Sequence, residues 1–221
     1  MNNNFVFFNV DSQQDFFTGG SVNIPNNESI LKNLDLVSKA AEKNNIKTIS
    51  TIRWYNTDSE FFSEMPDYRV TFPIHCIKDS KGARFITETA PTRYFLMNWE
   101  DPNGLLFPEI QKNRNIVVTK KVEDVFEGNS YFESLTHNLG IPFMARPHFV
   151  VYGVEIGKTV FGLLKRGYEV SIISDANINT NGQPFKKEDI IAKQPTHDDV
   201  TPKESIDLNY LTTRELIGDG K

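Results

Sequence analysis

Three polar residues stand at the ends of three apolar runs. Asp11 follows FVFFNV (5–10), Lys120 lies near the end of NIVVTKK (115–121), and Glu155 follows HFVVYGV (148–154). Runs this short and this apolar read as strands buried on both faces. If the strands are parallel, their carboxyl ends share one edge of the sheet, and the three side chains can meet in one crevice. A carboxylate beside a lysine is a proton-transfer pair, because each charge shifts the pKa of the other. The bland alternatives are a surface ion pair and, for Glu155, a glutamate in the first helical turn. The latter is worth about 0.3–1 kcal/mol against the helix dipole and carries no chemistry.

The elements that must hold these residues alternate. ESILKNLDLVSKAAEKNN places Ile30, Leu34, Val37 and Ala41 at helical spacing, with Asn27 as the expected cap. IKTISTI (46–52) is β-branched and reads as the second strand; YEVSIIS (168–174) reads as the fifth. A short helix is predicted over 155–166, closed by Gly167. DLNYLTTRELI reads as a further strand running into a last helical turn, whereas 56–113 is weakly periodic and rich in Pro, aromatic and charged residues, as binding loops are. This pattern predicts an α/β fold of three layers, a mostly parallel sheet of about six strands with helices on both faces. With no repeat or linker, residues 1–221 read as one domain.

Composition narrows the partners. The net charge is −5 with no block of like charges, so neither nucleic acid nor an anionic membrane is expected to bind. The one cysteine, Cys76, cannot form an internal disulfide, and the N-terminus lacks the basic region of a signal peptide. A cytoplasmic protein acting on, or binding, a small molecule is the expectation. The 17 phenylalanines suggest an aromatic-rich core or pocket.

Four segments, in order, resemble the isochorismatase-like cysteine hydrolase superfamily, which includes the nicotinamidases. FFNVDSQQDFFTGGSVNIPN resembles its opening strand, D-x-Q-x-D-F motif and Gly-rich turn; FPIHCIKDSKGARF resembles its P-x-H-C segment. VVTKKVEDVFEGN resembles its K-x-x-x-D-x-F segment, a spacing that selects Lys120 over Lys121. VVYGV with GLLKRGYEVSIISDA resembles the strand–helix–strand that carries the nucleophile. The resemblance implies the isochorismatase-like hydrolase fold, a homo-oligomer, and a catalytic Asp, Lys and Cys. The thiolate attacks an amide or ester carbonyl while the Asp and Lys manage protons. Asp11 and Lys120 match the first two.

The cysteine is missing. The sixth residue after Gly153, where the family spacing puts the thiol, is Thr159; counting back from GLLKRGYEV puts Glu155 there instead, with the approach a few residues shorter. The second register keeps the helix start at the site and is preferred. Cys76 lies in the P-x-H-C segment and reads as a small buried hydrophobe. Metal-binding relatives use a D-x-H pair, a further His and the His of P-x-H-C. Here those positions hold Arg53, Tyr55, Phe61 and His75, so neither a metal nor another cofactor is expected. The implied activity is metal-independent hydrolysis of an amide, ureide or vinyl ether through Asp11 and Lys120, with Glu155 positioning water. Arg53 would meet an anion, and Phe16, Trp54, Tyr55, Phe72, His75 and Phe126 map near the pocket. The alternative is a catalytically silent member that binds a small molecule or a protein partner; a true nicotinamidase would need a nucleophile that is not found.

Overall fold

The computed structural model describes residues 4–101, 107–139, 146–186, 188–189 and 208–218. Its strands are β1 (Phe5–Val10), β2 (Lys47–Arg53), β3 (Phe95–Met97), β4 (Asn115–Lys120), β5 (His148–Val154), β6 (Glu169–Ile178) and β7 (Asn209–Leu211). They form one sheet in the order β3-β4-β2-β1-β5-β6-β7, and every neighbouring pair is parallel. The helices are α1 (Glu28–Lys43), α2 (Phe107–Lys112), α3 (Val125–Gly128), α4 (Phe132–His137), α5 (Gly157–Lys165) and α6 (Thr213–Ile217).

The nearly continuous apolar runs are explained by two cores. Phe7, Val150 and Tyr152 pack with Ile30, Leu34, Val37 and Ala41 of α1 on one face. Val6, Phe8, Val10, Phe149 and Val151 pack with Val125, Phe132, Leu135, Val160 and Leu163 on the other. Alternate residues of β1 and β5 therefore bury against opposite helical layers, and no polar face is left. The chain runs from β1 outward to β2 on one side and later to β5 on the other. That makes β1/β5 the topological switch point, where the carboxyl edge opens a crevice.

Several sequence expectations change in detail. The sheet has seven strands: β3 falls inside the stretch read as irregular, and its three residues, with Leu96 at 38% exposure, are too few to show a pattern. Residues 102–106 of that stretch, and Asp207 ahead of β7, lie outside the described residues. Asn27 does not cap α1 with its side chain; its Nδ2 donates instead to the Ile24 carbonyl at 2.6 Å and to Asn23 Oδ1 at 3.1 Å. The helix after β5 starts at Gly157, so Glu155 precedes it rather than sitting in its first turn. β6 continues past 174 to Ile178, after a register shift between Val151 and Gly153.

Gly153 fixes the closeness of the two strand ends. Its φ is 113°, and a Cβ there would stand 2.2 Å from the Val10 carbonyl oxygen. Neither the conformation nor the backbone contact admits a side chain. Gly153→Ala is expected to lower the unfolding free energy by roughly 1–3 kcal/mol, the cost of overpacking a well-filled site, as read by urea denaturation. Among the described residues no helix is long and apolar enough to cross a membrane.

Candidate functional site

Asp11 leaves the end of β1 in a left-handed conformation, φ 47°, which aims its side chain toward the ends of β2 and β4. Its carboxylate is fully enclosed. Thr51 Oγ1 donates to Oδ1 at 2.7 Å. Arg53 Nε (2.7 Å) and Lys120 Nζ (2.9 Å) both meet Oδ2. Asp11 and Lys120 are 0% exposed and Arg53 5%. The register pairs Arg53 with Lys120 across β2 and β4, so both cations come off adjacent strand ends onto one acid. The Lys120 ammonium also donates to the Glu123 carbonyl at 2.6 Å.

The charges settle the protonation states. Burial pushes the Asp11 carboxyl up, but the Lys120 ammonium and the Arg53 guanidinium outweigh it and hold the group below the usual carboxylate value. Burial, reinforced by the Arg53 charge, lowers Lys120 despite its contact with Asp11. Arg53 stays cationic: burial opposes its charge, while Tyr55, Asp11 and Glu123 favour it. Asp11 is thus an ionised acceptor whose carboxylate takes three donors.

Glu155 stands at the β5–α5 junction, also left-handed at φ 48° and 9% exposed. Its backbone N–H donates to the Ile178 carbonyl at 2.9 Å, and its carboxylate Oε1 accepts from the Thr180 backbone N–H. The side chain ties this elbow to the end of β6. Thr159 lies inside α5, 1% exposed. The structure therefore places Glu155, not Thr159, at the strand–helix turn. A non-glycine residue in this region costs of order 1–3 kcal/mol, a strain kept where the surroundings over-determine the turn.

Cys76 is fully buried, and burial pushes its thiol well above its ordinary pKa. A thiol in that state is not a nucleophile.

Around the ion cluster lies an aromatic group. Arg53 Cζ sits 5.0 Å from the centre of the Phe16 ring. The His75 imidazole meets Phe16, Tyr55, Phe62 and Phe72 edge-on, with ring centres 5.3–5.8 Å apart. Burial raises the Tyr55 hydroxyl to about 12, so it keeps its proton. Two further expected pocket residues make other ring contacts. Trp54 packs against Lys78, 5.5 Å from its ring centre, and Phe126 lies under Arg166 at 3.6 Å and against Phe132.

Sequence reasoning missed the residues that lock this arrangement. Gln13 bridges loop and strand: its Nε2 donates to the carbonyls of Arg53 and Ala83, both at 2.9 Å, and its Oε1 accepts from the Arg53 N–H at 2.8 Å. Asp15 accepts from the Cys76 N–H at 2.6 Å and the Ser21 N–H at 3.2 Å. Both stand in the D-x-Q-x-D motif, which was the available signal. Glu123 adds a third carboxylate, paired with Lys158 at 3.1 Å; nothing in its sequence context marked it.

The architecture recurs in solved structures. The chain matches N-carbamoylsarcosine amidase from Thermoplasma acidophilum with a TM-score of 0.63 and 15% identity, over 96% of this chain and 98% of that one. It matches an isochorismatase-like hydrolase from Alkaliphilus metalliredigens with a TM-score of 0.59 and 15% identity, over 96% of each. The fold is that of the isochorismatase-like hydrolases. A further neighbour on this fold is the pyrazinamidase of Pyrococcus horikoshii in complex with zinc (TM-score 0.59, 20% identity, 86% of this chain and 91% of that one). In sequence, 77 residues are 30% identical to the nicotinamidase/pyrazinamidase of Mycobacterium tuberculosis, 34% of this chain and 40% of that protein. The match thus spans about two fifths of that relative's length. No family model matches the chain.

On the isochorismatase-like scaffold the residues of this chain do not fit a metal ion. Arg53 is a paired cation and Tyr55 a protonated phenol where the implied ligands would stand. Phe61 offers no donor atom, which leaves His75. Among the described residues no three His, Cys, Asp or Glu side chains group as a ligand set.

Proposed function

We propose that this isochorismatase-like chain binds a small molecule in its carboxyl-edge crevice without covalent turnover. The observation that carries this reading is the capture of Asp11 by two cations. Arg53 adds a second strong donor to the oxygen that Lys120 already holds, and it keeps the acid ionised. The site then offers charge, hydrogen bonds and aromatic edges, while among the described residues its cysteine is a buried thiol and its acid is already held by two cations.

A second reading is water-based hydrolysis of an amide, ureide or vinyl ether through Asp11, Lys120 and Glu155. The left-handed elbow at Glu155 favours it, because a strained residue at a strand–helix junction is a recurrent feature of reacting sites. The two readings separate on turnover. A panel of small amides, ureides and vinyl ethers is expected to show no hydrolysis above the rate in buffer. Hydrolysis that Lys120→Met abolishes would establish the second reading instead. That variant keeps the Asp11–Arg53 pair, so it tests the chemistry with the cluster in place.

A further inference from the structure

We infer that Arg53 and His75 together read the lactam edge of a planar heterocycle, a ring C=O beside a ring N–H. The inference rests on the binding reading above and names the class of ligand. Two buried atoms carry it. Arg53 Nη2 and His75 Nε2 have no hydrogen-bond partner among the described residues, and their side chains belong to residues only 5% and 2% exposed. Leaving a buried polar atom unpaired costs about 1–3 kcal/mol. Such atoms call for a partner, whether an ordered water, an ion or a ligand.

The two groups share one aromatic ring. Both lie against Phe16, Arg53 Cζ at 5.0 Å and the His75 ring at 5.7 Å from its centre. Tyr55 lines the same place, 5.3 Å from the imidazole, with its hydroxyl beside the guanidinium.

Their hydrogen-bonding characters are opposite. A guanidinium only donates. His75 Nδ1 faces the Pro73 carbonyl at 2.8 Å; a carbonyl only accepts, so Nδ1 holds the proton and Nε2 is left as an acceptor. A donor beside an acceptor is complementary to a carbonyl oxygen beside an N–H. It is a poor match for a carboxylate, which would set its second oxygen against the imidazole lone pair. The aromatic edges around His75 suit a flat, apolar-faced molecule. Phe62 and Phe72 are half-buried, so that side of the cluster faces outward.

The test is a ligand-observed NMR titration of the full chain with three probes: 2-pyridone, 1-methyl-2-pyridone and benzoate. 2-Pyridone should bind. The methylated analogue, which lacks the N–H, should bind at least about tenfold more weakly, and benzoate should bind no more tightly than the analogue. In His75→Phe the difference between the two pyridones should vanish; if that variant does not fold, the comparison on the unaltered chain decides alone. Failure of 2-pyridone to bind, or equal binding of the two pyridones, would overturn the inference. Tight benzoate binding would overturn it too, while leaving the small-molecule binding reading intact. Turnover in the panel above would remove that reading without touching the pyridone result.

Discussion

Asp11→Asn is expected to lower the unfolding free energy by roughly 3–5 kcal/mol, the range for removing one partner from a buried ionic group. The reason lies in the count of charges. The wild-type cluster holds one carboxylate against two cations, Arg53 at 2.7 Å and Lys120 at 2.9 Å. Asparagine keeps the shape but leaves both cations buried with no counter-charge from β1. Glu123 compensates only in part, because it already pairs with Lys158. Lys120→Met should behave quite differently. It leaves one acid facing one guanidinium, so no buried charge loses its counter-charge, and it removes an ammonium whose own burial is costly. A change within about 1 kcal/mol is expected. Urea unfolding of both variants at pH 7 checks the asymmetry. Equal losses would mean that Lys120, not Arg53, supplies most of the stabilisation of Asp11. The acid limb gives a second check. The folded pKa of Asp11 lies below its ordinary 3.8, so its contribution is complete above that value and is lost as pH falls through the folded one. Asp11→Asn should therefore lose less stability than wild type on acidification below about pH 4.

How much of this was legible in the sequence differs by level. The parallel sheet was readable because β1, β4 and β5 bury both faces, so their runs are mostly apolar with no polar alternation. β3 was hidden because three residues at a sheet edge carry no periodicity. At the site, Asp11 and Lys120 were readable as strand-end residues, and the structure joins them as expected. The role of Arg53 was visible only as a free cation; its bond to Asp11 depends on the β2–β4 register, which no local pattern encodes. Glu155 shows the limit most clearly. Its place at the junction follows from the apolar run before it, whereas the direction of its carboxylate is set by the Thr180 backbone, 25 residues away. Gln13 and Asp15 were in plain sight in the motif around Asp11. Their work as braces for Arg53 and Cys76 appears only when distant loops are brought beside them.

His75 supports a prediction that depends on pH. Its environment, four aromatic rings and a nearby guanidinium, disfavours the charged imidazole: burial first, and then the Arg53 charge, lowers its pKa from 6.5 to about 4. The Pro73 carbonyl and the carboxylates of Asp15 and Asp11 pull the other way and lose. An unfolded chain takes up a proton at His75 as pH falls through 6.5, while the folded chain resists until about 4. The unfolded state thus binds more protons across this window, and stability rises with pH through it. The contribution is complete above 6.5 and falls away toward 4, a span worth about 3 kcal/mol. Phenylalanine fits the same ring contacts and titrates nowhere. His75→Phe should therefore stay within about 1 kcal/mol of wild type at pH 7, as a shape-conserving swap does, and lose much less stability between pH 6.5 and 4. Urea unfolding of both proteins across pH 4–8 measures the difference, from which the titration of all other groups cancels. Parallel pH curves would show that the imidazole titrates alike in the folded and unfolded chain, and wild-type stability falling relative to the variant as pH rises would show that it is held charged in the fold. In that case Nε2 would carry a proton, and the acceptor that the lactam edge requires would not exist.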